Sequence, residues 1–83
     1  MNWQLLVAKS ARKALAELPG KDQLRVERAL DALQRDPFSG DIKRLQPSGW
    51  RRRVGAYRIF YDLLLEGHLV VVTAISRRTS TMY

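Results

Sequence analysis

The chain is 83 residues long, 46% hydrophobic, free of cysteine, and carries a formal net charge of +7. That size holds one modest core and one domain, 1–83. The hydrophobic share argues against disorder, and the missing cysteines exclude disulfides, thiol catalysis and Cys-ligated zinc. The opening Met-Asn-Trp-Gln-Leu-Leu-Val has neither the basic start nor the apolar run of a secretory leader. The absence of cysteine fits the cytoplasm as the expected location; no stretch is long and apolar enough to span a bilayer, and no membrane partner is expected.

In chain order, Trp3 to Val7 reads as a short strand. Near Ser10 the pattern turns helical, with Ala11, Leu15 and Leu18 recurring on one face and Ala14 beside them. Ser10 is the expected cap and Pro19-Gly20 the expected end. Asp22 is the expected cap of a second helix, whose apolar positions Val26, Ala29, Leu30 and Leu33 share a face and which closes at Asp36-Pro37. So short a connection predicts a helical hairpin. Residues 38–49 read as an irregular connection in which Lys43, Arg44 and Leu45 run along the sheet or the site.

Trp50 to Tyr61 reads as a β-hairpin turning at Gly55-Ala56, with Gly supplying a positive φ. A two-residue turn sets Val54 opposite Tyr57, Arg53 opposite Arg58 and Arg51 opposite Phe60. One face then carries Arg51, Arg53, Arg58, Phe60 and Asp62. The other carries Trp50, Val54, Tyr57, Ile59, Tyr61 and Leu63, with Arg52 as a misfit at a structural or rim position. Asp62 reads as an arginine partner, and Tyr57 and Tyr61 as core. A turn at Glu66-Gly67 leads into a last strand, Leu69 to Ser76. A two-residue turn there sets Tyr61 opposite Val72 and Arg58 opposite Ile75. Val70, Val72 and Ala74 then join the apolar face, and Val71, Thr73 and Ile75 the basic one. The order β-α-α-β-β-β, an antiparallel meander packed on an N-terminal helical hairpin, predicts an α+β fold.

Charge is unevenly spread. Residues 1–42 hold seven basic and six acidic side chains, whereas residues 43–83 hold eight basic and two acidic, a net of +6. Such a half attracts polyanions, nucleic acid first among them. Facing like charges cost a sheet roughly 0.2–1 kcal/mol per exposed pair, and local costs of that kind mark functional surfaces. The basic face is therefore the candidate site. His68, the only histidine, falls in a predicted turn; no carboxylate cluster has ligand spacing, so neither metal nor other cofactor is expected.

Several stretches resemble the RelE/ParE superfamily of bacterial toxins. They are Arg53-Val-Gly-Ala-Tyr-Arg-Ile-Phe-Tyr61, the valine-rich strand after it, the Ser76-Arg-Arg…Tyr83 tail, the early Ala8-Lys-Ser-Ala-Arg-Lys-Ala-Leu-Ala-Glu-Leu-Pro19, and the Leu33-Gln-Arg-Asp-Pro37 close. The resemblance covers nearly the whole chain. It implies a toxin held by a cognate antitoxin, which is expected to cover the basic face or displace the tail. RelE-like members cut messenger RNA on the ribosome; ParE-like members poison DNA gyrase. Carried over by position, the resemblance implies Arg51, Arg53 and Arg58, then Arg77 or Arg78, then Tyr83 as catalytic residues, and the tyrosine favours the RelE-like branch. Lys43, Arg44, Arg52 and Phe60 are the candidate RNA contacts. RelE-like proteins often carry lysine where this chain has Arg51 and Arg53.

Arginine forks suit the stabilisation of charge on a reacting phosphate. Arginine stays protonated, however, and is a poor base. Tyr83 would serve as base only with its pKa lowered from about 10; otherwise the chemistry is mainly positional. A gyrase inhibitor and an inactive RNA-binding relative remain alternatives.

Overall fold

The computed structural model describes residues 3–77. A first strand, β1 (Gln4–Val7), alternates exposed and half-buried positions and turns Leu5 and Val7 toward the core. Helix α1 (Lys9–Ala16) follows at once. Its cap is Ala8 and not Ser10, because the Ala8 N–H donates to Val72 O at 2.8 Å while its carbonyl receives Arg12 N–H at 2.9 Å. Sheet pairing thus runs up to the residue that opens the helix, and Ser10 is left inside the first turn.

Helix α2 (Gly20–Arg35) also starts earlier than its sequence suggests, from Pro19 and not Asp22. Proline has its φ already set, and its carbonyl accepts Gln23 N–H at 2.8 Å. The Asp22 carboxylate accepts instead from the Tyr57 hydroxyl at 2.7 Å. The helix ends at Arg35 as expected before Pro37, with Asp36 extended and its carboxylate receiving Phe38 N–H at 3.0 Å.

Four further strands complete the sheet: β2 (Ile42–Arg44), β3 (Trp50–Val54), β4 (Tyr57–Leu64) and β5 (Leu69–Arg77). Their spatial order is β1-β5-β4-β3-β2. The meander from β2 to β5 is antiparallel, and β1 joins β5 in parallel, making a mixed five-stranded sheet. The architecture is α+β as expected, with two features the sequence reading lacked: the short strand β2 and the parallel pairing of β1. Both helices cover one face of the sheet. Val26, Leu33, Ile59, Tyr61, Val70 and Val72 are fully buried between the layers. Each such aliphatic residue stabilises the fold by about 1.5–3 kcal/mol.

The β3–β4 register is the expected one, but the β4–β5 register is not. Tyr61 does face Val72, yet Phe60 faces Ala74 and Ile59 faces Ile75, leaving Thr73 as an unpaired bulge residue. Arg58 accordingly faces Ser76 and not Ile75. The Thr73 hydroxyl donates to Phe60 O at 3.2 Å and fills part of the interrupted ladder. The bulge reverses the alternation beyond it. Ile75 enters the core at 7% exposure, while Ala74 turns to the uncovered face. Burying isoleucine in place of alanine removes three more carbon groups from water, at about 0.8 kcal/mol each.

Candidate functional site

The uncovered face is built on the β3–β4 hairpin. Gly55 takes a φ of +58°, and a Cβ there would meet the Arg25 guanidinium of α2 at 3.0 Å. A side chain at this turn would therefore be strained and crowded. From the turn, Arg53 faces Arg58 and Arg51 faces Phe60. On the other side of β3, Lys43 of β2 faces Arg51. Facing residues in antiparallel strands hold their Cβ atoms about 4.5–5.5 Å apart on one side of the sheet. Lys43, Arg51, Arg53 and Arg58 thus form one continuous basic group with Phe60 beside it.

Beyond β4 the same face carries Ala74 opposite Phe60 and Ser76 opposite Arg58. Among the described residues, only these small side chains flank the arginines on that side. Arg51 and Arg58 are half-buried, and the Nε of each is shielded from solvent with no hydrogen-bond partner among the described residues. A buried donor without a partner is a standing cost of about 1–3 kcal/mol, and an acceptor arriving on this face relieves it. Asp62, read in the sequence as an arginine partner, is exposed, and its Oδ1 lies 3.2 Å from where a Gly49 Cβ would be.

Three residues expected at the site are placed elsewhere. Arg52 faces Ile59 on the helix-covered side, where Nη1 donates to Ser39 O at 3.0 Å and to Ser39 Oγ at 3.2 Å. Its guanidinium occupies the space a side chain at Gly40 would need, 2.6 Å from the ideal Cβ. Arg52 therefore ties the α2–β2 connection to the sheet. Arg44 faces Trp50, on the side of β2 away from Lys43. Arg77 faces Tyr57 and not the arginine group, because the bulge at Thr73 puts odd-numbered residues beyond it on the helix side. Arg78 and Tyr83 lie outside the described residues.

Neither described core tyrosine is suited to act as a base. Tyr57 is pushed above its ordinary pKa by its hydrogen bond to Asp22 and by burial, with Arg77 opposing. Tyr61 donates to the Pro37 carbonyl at 2.8 Å. Its pKa is pushed up to about 12 by burial, with Arg52 pulling the other way. His68 sits in the β4–β5 turn against Trp3, ring centroids 4.9 Å apart. Six residue steps of strand lead from Arg58 to Leu64 just before that turn, a distance of about 20 Å. Among the described residues no group of three or more His, Cys, Asp or Glu side chains is gathered for a metal. What the face offers is phosphate-binding cation and a ring for stacking.

Sequence reasoning missed Ala74 and Ser76 on this face, since the alternation that would place them is broken by the bulge. A threonine inside a valine run was the one available signal. Lys43 was named, but its partnership with Arg51 required β2.

A two-helix layer on a five-stranded mixed sheet, with an arginine group on the bare face, is the architecture that the RelE/ParE resemblance implies. The chain belongs to the family of ParE toxins of type II toxin–antitoxin systems (parDE), whose sequence profile matches residues 5–82. A Methanocaldococcus jannaschii protein named as a RelE1 toxin is 29% identical over 83 residues, covering 94% of this chain and 92% of its own. In fold, the chain is similar to the toxin–antitoxin complex RelBE2 of Mycobacterium tuberculosis, with a TM-score of 0.84, 24% identity and coverage of 94% and 100% of the two chains. It is equally similar to the archaeal RelE–RelB complex of Pyrococcus horikoshii, with a TM-score of 0.85, 23% identity and coverage of 98% and 100%. The isolated Escherichia coli RelE toxin matches with a TM-score of 0.81 at 17% identity, over 95% and 87% of the chains. At these identities the structures speak to the fold.

Proposed function

We propose that this toxin is a ribosome-dependent endoribonuclease that inhibits translation by cutting messenger RNA. The observation that carries the reading is the continuous group of Lys43, Arg51, Arg53 and Arg58 on an uncovered sheet face. Lys43 and Phe60 contact the message, the ring stacking on a base. Arg51, Arg53 and Arg58 grip the phosphate and stabilise charge that builds as the 2′-oxygen, giving up its proton, bonds to phosphorus and the bond to the 5′-oxygen breaks, that leaving oxygen taking up a proton. The placement of Arg77 opposite Tyr57 supports Arg78 as the tail arginine, with Tyr83 as the remaining catalytic side chain. No metal or organic cofactor takes part.

Because arginine is a poor base, chemistry on this set is mainly positional. The ribosome holds the message in line, and the toxin neutralises the phosphate. The chain works as a single domain in the cytoplasm; among the described residues no helix is long and apolar enough to cross a membrane. Its controlling partner is a cognate antitoxin, a reading supported by the RelB complexes among the similar structures.

A second reading, a gyrase inhibitor of ParE type, is favoured by the description of the matching family. Mapping message ends after induction in cells separates the two. New ends within translated codons are expected, and gyrase-dependent DNA breaks without new RNA ends would replace the nuclease reading by the second.

A further inference from the structure

A groove that opens on the side of β2 away from Lys43 and runs round the β2–β3 loop to Asp62 and Leu64 includes none of Lys43, Arg51, Arg53, Arg58 and Phe60. Two adjoining hollows form it. The first, about 220 Å³, is lined by Phe38, Arg44, Trp50, Leu63 and Leu65. The second, about 370 Å³, shares Arg44, Trp50 and Leu63 and continues past the β2–β3 loop at Pro47 and Ser48 to Asp62 and Leu64.

Large apolar side chains gather here in place of scattering. Phe38, 49% exposed, and Leu65, 64% exposed, line the first hollow, and Leu64, 53% exposed, lines the second. Single exposed apolar residues need no explanation, but a group of them around a hollow marks an interaction surface. The wall is stiff: Phe38 packs edge-on against Trp50 at 5.5 Å between centroids and against Trp3 at 6.3 Å. The first hollow is smaller than the roughly 300 Å³ at which small-molecule sites begin, a size suited to an anchoring side chain. Among the described residues, Arg44 is the one cation lining the groove, against four on the arginine face. Leucines with a single arginine suit a protein better than RNA. The charge of the chain, +7 overall, selects an acidic partner.

We propose that this groove anchors the antitoxin. An acidic segment of that partner seats one large apolar side chain against Trp50 and Leu63, sets a carboxylate against Arg44, and offers a donor to Asp62 at the far end. The inference rests on the toxin–antitoxin pairing proposed above and places the anchor on the other side of the edge strand from the arginine group. Lys43 and Arg44, adjacent in β2, then divide the labour: one faces RNA, the other the antitoxin. Holding the toxin and blocking its catalytic face become separable acts.

The test measures the affinity of the full chain for the purified antitoxin encoded beside it, using three toxin variants. Leu65→Asp should weaken binding at least tenfold, with message cleavage in programmed ribosomes and melting temperature unchanged. Phe38→Ser should weaken binding as much, with cleavage unchanged and a lower melting temperature from its lost contacts with Trp50 and Trp3. Arg44→Glu should weaken binding similarly and be rescued by reversing one acidic residue of the antitoxin to lysine. Binding of all three variants within twofold of the parent overturns the proposal. So does loss of self-association in place of antitoxin affinity, which assigns the groove to a second copy of this chain. Loss of ribosomal cleavage in place of antitoxin affinity assigns it to RNA and overturns it too. A parent chain that binds no antitoxin fails the pairing itself, and the groove assignment falls with it.

Discussion

Arg53 and Arg58 stand directly opposite each other across the β3–β4 ladder, a like-charged pair near the hairpin turn on a face that no helix among the described residues covers. The pair opposes folding, so removing one member relieves repulsion and removes a phosphate ligand together. Arg58→Ala should abolish growth inhibition while stability rises or holds within about 1 kcal/mol, the size of one cross-strand pair. Growth assays beside urea denaturation check this. Full toxicity in the variant, or failure to fold, would refute the assignment.

Cleavage should depend on the ribosome. One message, free and bound in a programmed ribosome at matched concentrations, should be cut well only in the second state. Association should weaken with salt, each phosphate contact to a single strand adding about 0.7 to the log–log slope. Lys43→Ala should lower that slope by about one contact's share. Equal rates on free and ribosome-bound message would show that the catalytic set is complete by itself, against a mainly positional chemistry.

The bulge at Thr73 makes a prediction that the unbulged register does not share. With Ile75 in the core, Ile75→Ala should cost about 2–5 kcal/mol, the range for emptying a packed site. Thr73→Val, which loses only the hydroxyl bond to Phe60 O, should cost about 0.5–1.5 kcal/mol. Denaturant midpoints at constant m-value provide the comparison. An Ile75→Ala variant as stable as the parent would place Ile75 on the open face.

Tyr61 sets an alkaline limit. Its pKa is about 12 folded against about 10 unfolded, so the folded state is favoured only while the phenol is protonated. Its contribution is intact below pH 10 and is lost as pH rises toward 12. Tyr57, shifted in the same direction, adds to the same loss. The urea midpoint should hold from pH 7 to 9 and fall above 10, and Tyr61→Phe should flatten the fall. A variant that falls as steeply as the parent would remove Tyr61 as its source.

At Gly40 two effects coincide. Its φ of +81° is a conformation that side chains resist, and Arg52 fills the space where one would go. Gly40→Ala should cost about 1–3 kcal/mol through backbone strain alone. The double variant with Arg52→Ala should be less destabilised than the sum of the singles, because Arg52 no longer has to leave Ser39. Strict additivity in a double-mutant cycle would show that the two do not share the space.

The sequence by itself determined the α+β class, both helices, the hairpin at Gly55-Ala56 and the facing of Arg53 with Arg58. All of these depend on local signals: apolar period, a glycine with positive φ, and a register that a two-residue turn enforces. Tertiary structure alone decided what local signals cannot carry. Pairing of β1 with β5 spans more than sixty residues and moved the first cap from Ser10 to Ala8 through Val72 O. Asp22 was drawn from capping α2 to accepting the Tyr57 hydroxyl. Three residues of edge strand, too few to show a period, brought Lys43 to Arg51 and sent Arg44 to the opposite side. Above all, the unpaired Thr73 reversed every later side chain of β5. It put Ile75 under the helices, Ser76 beside Arg58, and Arg77 away from the face to which the family resemblance had assigned Arg77 or Arg78. Alternation is legible in a sequence only while the ladder is regular. Where one extra residue buries an isoleucine in place of an alanine, the core outweighs the pattern.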